Sequence, residues 1–224
     1  MKSMKINAKY NKLIIIGASG HGKVAADIAV KMNLWQKIAF ADDDDTIISS
    51  LGIFVEGQTS DVFTHLNESD IFVAIGNNKT RERILCRLEK AGASITTLIH
   101  PGAIIGGEVE LGAGTIVMAG TVINCCSNIG SGCIINTGAT IDHDNKIEDY
   151  VHISPGAHLA GTVKIGKNTW LGIGSIVSNN LCITGGCTIG AGAVVVRNIT
   201  EPGIYVGVPA HRIYDKKKLY NCIE

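Results

Sequence analysis

From residue 99 onward an aliphatic side chain returns at every sixth position. Ile99, Ile105, Leu111, Val117, Ile123 and Ile129 open a series that runs without a slip to Ile183, Ile189 and Val195, seventeen hexads in one phase. Four places after each aliphatic the residue is usually small or β-branched, as at Thr115, Thr121, Ser127, Cys133, Ala139 and Val151. Glycine often follows the aliphatic directly, as at Gly106, Gly112, Gly130, Gly166 and Gly190. A period of six fits neither a helix nor one long strand, but it does fit short strands separated by tight turns. Hexapeptide periodicity is the signature of a parallel β-helix, in which stacked coils bury a column of aliphatics with strands about 4.8 Å apart.

Upstream of residue 99 the pattern is different. "KLIIIG" (12–17) is a continuous apolar run, suited to a strand covered on both faces. It ends in "GASGHG" and is followed by Val24, Ile28 and Met32 at helical spacing. "KIAFADDDD" (37–45) predicts a second strand ending in acids, and "DIFVAIGNN" (70–78) predicts a third. A helix is expected from about Lys79 to Lys90, burying Ile84, Leu85 and Leu88, with Gly92 as its stop. "SITTLIH" (94–100) reads as a closing strand. Strands and helices alternating in this way predict an α/β Rossmann-like module over residues 1–98. The solenoid then occupies 99–213 and a tail 214–224.

The candidate chemistry of the first module gathers at its strand ends. Ser19, Gly20 and His21 lie between a strand and a helix, where backbone N–H groups and the helix dipole favour phosphate. The glycines fall at 17, 20 and 22, so this loop is not the dinucleotide GxGxxG. Asp42 and Asp43 close the second strand, where a carboxylate can take ribose hydroxyls or a base, and Gly76 and Asn77 close the third. Three strand ends on one rim imply a ligand. A sheet this short suits a single nucleotide, hence a nucleotide-sugar, better than a dinucleotide.

Composition removes several alternatives. Twenty Lys and Arg balance twenty Asp and Glu, which leaves no electrostatic footprint for nucleic acid or an anionic membrane. No apolar run approaches the ~20 residues that span a bilayer. The basic start runs into "LIII", which reads as a first strand and not as a signal peptide. Seven cysteines, odd in number and without a CxxC pair, fit free thiols in a reducing cytoplasm. Cys133 and Cys187 hold small-residue positions of the hexads, so packing accounts for them.

The "[LIV]-G-x-x-[STAV]-x" hexads and the closing "YVGVPAHRI" (205–213) resemble the hexapeptide acyltransferases. In that family a left-handed β-helix takes three hexads, eighteen residues, per triangular coil. More narrowly, "IIIGASGHGKVAADIA", "FADD", "VAIGNN", "LIHPGAII" and "IDHD…VHIS…LAGTVKIG" resemble a sugar acetyltransferase family. It includes the bacillosamine-pathway N-acetyltransferase and the sialic acid O-acetyltransferases of the NeuD type. The resemblance covers roughly residues 12–213. It implies acetyl-CoA as co-substrate, a UDP-linked amino sugar as acceptor and a homotrimer. In its terms His143 matches the general base, Asp144 the acid supporting it, and Gly161 the backbone donor. His152 matches a coenzyme contact and Asn136 a residue facing the sugar. Ser19, Gly20, His21, Asp42 and Asp43 match residues holding the UDP-sugar, while Ile173 and Ala191 fall near coenzyme contacts.

With eighteen residues per coil, His143 takes a corner and Gly161 the same corner one coil on, with Cys125 one coil before. His143 is therefore expected about 5 Å, one strand spacing, from the Gly161 backbone. A base beside a backbone N–H suits acyl transfer: one removes the nucleophile's proton and the other steadies the oxyanion. Asp142 and Asp144 flank the imidazole and are expected to raise its basicity and hold its tautomer. His152 and His158 precede inward aliphatics and so face outward on flat sides. Three histidines spread over a corner and two faces do not suit one metal, and no metal is expected. Arg197, Arg212 and Lys216 to Lys218 are candidates for coenzyme phosphates. The reading is a cytoplasmic, acetyl-CoA-dependent N-acetyltransferase acting on a UDP-4-amino-4,6-dideoxy sugar. O-acetylation of sialic acid or another sugar, and a non-catalytic trimeric nucleotide-sugar scaffold, stand as alternatives.

Overall fold

The computed structural model describes residues 6–213. The N-terminal unit carries strands β1 (Lys12–Ile16), β2 (Lys37–Ala41), β3 (Ser49–Ser50), β4 (Ile53–Phe54), β5 (Asp70–Val73) and β6 (Ser94–Ile95), with helices α1 (Gly20–Met32) and α2 (Asn78–Lys90). Strands β2, β1, β5 and β6 form one parallel sheet in that order, and β3 and β4 form a separate hairpin. Alternation along β1 sends Leu13 and Ile15 to one face, against Ala25, Ile28 and Ala29 of α1. Ile14 and Ile16 go to the other, against Leu85 and Leu88 of α2.

Both helix ends follow from local chemistry. The Asn77 side chain accepts the Thr80 N–H at 3.0 Å and caps α2. At the far end Gly92 takes a φ of +80°, and the Gly92 and Ala93 N–H groups return to the Glu89 and Leu88 carbonyls. Helix α1 departs from expectation. Val24 is 39% exposed, and the buried stripe runs instead through Ala25, Ala26, Ile28 and Ala29. Small residues let α1 lie close: a Cβ on Gly22 would stand 1.9 Å from the Gly17 carbonyl oxygen.

The expected closing strand over 94–100 is two elements. Ser94–Ile95 completes the first sheet beside β5, whereas Leu98–Ile99 pairs with Ile116–Val117 and starts the solenoid. From there two-residue strands stack in three parallel sheets, with turns between them. The register step is eighteen residues, as in Thr140 to His158 to Ile176, and Ile134 to His152 to Trp170. The hexad aliphatics face inward as one cluster, with Ile123, Ile135, Ile141, Ile153 and Leu171 fully buried. Only the last coil shortens: Ile189 pairs with Tyr205, sixteen residues on.

The two units are joined by apolar and polar contacts. Leu98, Ile116 and Ile134 point outward from the first solenoid sheet, yet all three are buried in one cluster with Ala25 and Ile28 of α1. Beside them Arg81 of α2, 1% exposed, donates to the Gly132 and Tyr150 carbonyls of the solenoid at 2.6 and 3.1 Å. Sequence reasoning placed no role on Arg81. Its neighbours Glu82 and Arg83 gave it the look of a solvated position.

Ile165 is 1% exposed and sits in the middle of the aliphatic column. Ile165→Ala is expected to destabilise the fold by about 2–5 kcal/mol in a urea melt. A loss well under 1 kcal/mol would contradict a tightly packed axial core.

Candidate active site

The turn after Thr140–Ile141 forms the edge between the six-stranded and five-stranded sheets, and His143 stands on it. Its Nδ1 lies 2.6 Å from Asp144 Oδ2. This contact, followed by the Asp142 charge, holds the imidazole above its ordinary pKa. With Nδ1 engaged by a carboxylate, Nε2 is the nitrogen free to take a proton. Asp144 has a φ of +57°, and its short arm reaches the ring from that turn. On the other flank Asp142 Oδ1 accepts from the His143 backbone N–H at 2.9 Å and from Asn124 Nδ2 at 2.7 Å.

One coil on, Gly161 lies directly against the ring. A Cβ built there would come within 2.6 Å of both His143 Cε1 and Nε2, so any other residue would push the ring out of this position. Thr162 N–H donates to the His143 carbonyl at 2.9 Å and locks the two turns in register. Asn145 underpins the edge from inside. It is fully buried, and its Nδ2 donates to the Asp142 and Ala160 carbonyls while its Oδ1 accepts from Val163 N–H. Asn145 is where the run of small or β-branched residues breaks, and that break was the available signal for it.

A second group of the expected residues lies on the eight-stranded face. The outward column Leu98, Ile116 and Ile134 continues as His152 and Trp170 beyond the area that α1 covers. Asn136 Nδ2 donates to His152 Nε2 at 3.3 Å. Trp170 stacks on the His152 ring, with centroids 5.5 Å apart and planes 5° from parallel, and its Nε1 donates to Ser154 Oγ at 2.7 Å. Trp170 stays 49% exposed, an aromatic platform that sequence reasoning did not single out. Burial, then the Arg81 and His21 charges, brings His152 down to about pKa 3. Burial, then Arg81, brings His21 down to about 4. Both rings are therefore neutral at physiological pH, and neither His21 Nε2 nor His152 Nδ1 has a well-formed hydrogen-bond partner although both atoms are sealed from solvent.

The strand-end residues gather as expected but are partly committed. Asp42 Oδ2 accepts the Ala18 N–H at 2.6 Å, tying the glycine loop to the end of β2, while its Oδ1 accepts the Asp44 N–H. Asp43 Oδ1 accepts the Thr59 N–H at 2.8 Å. Ser19, Gly20 and Gly76 are exposed, and nothing lies within 4 Å of where a Cβ on either glycine would be.

These two groups sit apart within one chain. The His143, Asp144 and Gly161 edge is bounded by the two sheets that the N-terminal unit leaves uncovered, and Asn136, His152 and Trp170 lie on the third. Ile173 and Ala191 occupy a different corner, between the eight- and six-stranded faces, and both are exposed. His158 pairs with Thr140 Oγ1 at 2.8 Å on the six-stranded face. Among the described residues no group of three or more His, Cys, Asp or Glu is placed to hold a metal. Of the basic candidates, Arg197 Nη2 meets His211 Nδ1 at 2.9 Å, and Arg212 bonds Glu201 and the Pro202 carbonyl. Lys216 to Lys218 lie outside the described residues.

Known proteins share both units. The family described as the PglD N-terminal domain matches residues 12–88. UDP-N-acetylbacillosamine N-acetyltransferase of Bacillus subtilis is 36% identical over 108 residues, 47% of this chain, and the chain spans about half (50%) of that relative's length. The acetyltransferase domain of PglB from Neisseria gonorrhoeae, also solved with acetyl coenzyme A, is 39% identical. The match covers 91% of this chain and 100% of that one, with a TM-score of 0.88. Perosamine N-acetyltransferase from Caulobacter crescentus, solved with CoA and GDP-perosamine, is 35% identical over 93% of this chain and 100% of its own, also at 0.88. With its Rossmann-like unit and left-handed β-helix, the chain belongs to the PglD-type family of hexapeptide-repeat sugar acetyltransferases.

Proposed function

We propose that this protein transfers the acetyl group of acetyl-CoA directly to the amine of a nucleotide-linked sugar, a UDP-4-amino-4,6-dideoxy sugar in the first instance. The observation that carries the reading is the packing of His143 on Gly161 with Asp144 behind the ring. His143 Nε2 takes a proton from the amine as its nitrogen attacks the thioester carbonyl. The carbonyl becomes an oxyanion, which the Gly161 N–H steadies, for among the described residues no acceptor takes that N–H. Collapse of the intermediate expels CoA as thiolate, and the proton held on His143 neutralises it. No covalent enzyme intermediate is needed.

The nucleotide fits the strand-end rim around Ser19, Gly20, His21, Asp42, Asp43, Gly76 and Asn77. The relatives support the class: the Caulobacter enzyme holds GDP-perosamine and the Bacillus enzyme is named for a UDP-sugar. Because the rim and the His143 edge belong to different sides of one solenoid, the complete site lies between copies in a homotrimer. The outward column of the six-stranded face supports such packing, since it presents Ile104, Val122, Ile176 and Val194. Acetyl-CoA then runs between neighbouring solenoids, within reach of His152, Ile173 and Ala191. Such chemistry belongs in the cytoplasm, where acetyl-CoA and nucleotide-sugars are made.

His143→Ala is expected to lower kcat by about 10²–10⁴-fold while leaving acetyl-CoA affinity unchanged, and normal turnover on a panel of UDP-, GDP- and dTDP-linked 4-amino sugars would refute the base assignment. The base works only when neutral, so kcat/KM should rise with pH through the raised His143 pKa. Asp144→Asn removes the main cause of that elevation, which should move the acid limb to lower pH; a limb that stays in place would exclude Asp144 from this role. The shared site has its own signature. His143→Ala and His21→Ala chains, each inactive alone, should recover about a quarter of full activity when mixed one to one and reassembled, because a random quarter of the interfaces pairs two intact halves. No recovery after proven subunit exchange would put both halves of the site in one copy.

A further inference from the structure

We propose that Arg81 is a positioning residue for the nucleotide end of the site, clamping the Gly76–Asn77 loop to the solenoid. Its five N–H groups have five carbonyl or amide acceptors. Nη1 donates to the Ile75 and Gly76 carbonyls at 2.8 and 3.1 Å, within the loop that closes β5. Nη2 donates to Asn78 Oδ1 at 2.8 Å and to the Tyr150 carbonyl at 3.1 Å, and Nε to the Gly132 carbonyl at 2.6 Å. One side chain thus spans the loop and two successive coils, since Gly132 and Tyr150 are eighteen residues apart.

The chemistry of this clamp is not that of an ordinary packing contact. Every acceptor is neutral, and among the described residues no carboxylate accepts from the guanidinium. Burying a cation without a counter-ion is costly, and fixing two backbones alone could be done by a neutral side chain. A planar guanidinium holds five acceptors at fixed angles, which a lysine ammonium with three donors cannot do. Around it stand His21 and His152, whose pKa values burial lowers, with Cys133 and Tyr150, whose pKa values burial raises, so all four are neutral groups. His21 belongs with Gly76 to the proposed nucleotide rim, and His152 to the facing solenoid wall. Arg81 therefore fixes where the Gly76–Asn77 loop sits against the solenoid wall without touching the ligand.

This inference rests on the nucleotide-sugar reading above, and the test separates the two. In the full-length protein, Arg81→Lys keeps the charge and removes the fork. It is expected to weaken UDP binding in calorimetry at least tenfold, to leave CoA affinity within about threefold, and to speed hydrogen exchange at the Gly76 to Asn78 amides. Asn78→Ala removes one acceptor of the clamp and the Nδ2 bonds to the Asn168 and Thr169 carbonyls that tie the same loop to the solenoid, so it should also weaken UDP binding with CoA affinity kept, which keeps the test open if Arg81→Lys folds poorly. Equal losses for UDP and CoA, or unaltered UDP affinity in both variants, would overturn the clamp while leaving the nucleotide reading in place. A wild-type protein that binds CoA but none of UDP, GDP and dTDP would overturn the nucleotide reading and the clamp with it.

Discussion

An eighteen-residue step in the parallel backbone ladder decides where the proposed reactive groups, His143 and Gly161, lie. Each strand contributes two residues, so the hydrogen bonds of one coil dictate the azimuth of the next with almost no latitude. His143 and Gly161 meet because they are one step apart, and their mutual packing needs no loop to fold correctly around it. Asn145 adds a buried amide at the same corner, bonding the turns that carry both residues. For the proposed acetyl transfer, the backbone ladder supplies in advance the geometry under which a backbone donor stabilises charge without reorganisation.

The same ladder makes the face that receives the N-terminal unit. Three outward aliphatics, Leu98, Ile116 and Ile134, are covered by α1, and the column then turns to His152 and Trp170 where cover ends. That change from apolar to aromatic and polar marks the edge of the apolar docking surface. His21 and His152 line the junction as neutral rings, because burial and the Arg81 cation oppose a further positive charge there. As pH falls below about 6.5, the unfolded chain takes up protons that these folded histidines refuse, so the junction weakens towards acid and is at full strength near neutrality.

Most of the fold could be read from the sequence, and for a physical reason. A hexad must bury its aliphatic inward, so seventeen in phase leave one architecture open, and strand-to-helix alternation in the first ninety residues was similarly unambiguous. The run 94–100 was read as one strand because periodicity does not show where a chain leaves one sheet for another. Val24 was assigned to a buried face because helical spacing counts hydrophobicity but not closeness of approach, which here favours alanine. Within the site, the His143 to Gly161 stack followed from register, while Arg81 and Trp170 did not. A buried arginine bound only to carbonyls looks in sequence like any surface arginine, and an outward tryptophan gains its meaning from the histidine one coil below it.

The central claim is that the acetyl group changes hands at the His143 edge, with the acceptor delivered from a neighbouring copy. It is tested most directly by a crystal structure of the protein with CoA bound, in which the position of the CoA sulfur is measured against every His143 in the assembly. The account predicts a sulfur about 4 Å from one His143 Nε2, on the Gly161 side of the ring and facing the nucleotide rim of an adjoining chain. A well-ordered sulfur more than about 8 Å from every His143 would contradict it, because no proton relay through one side chain spans that gap.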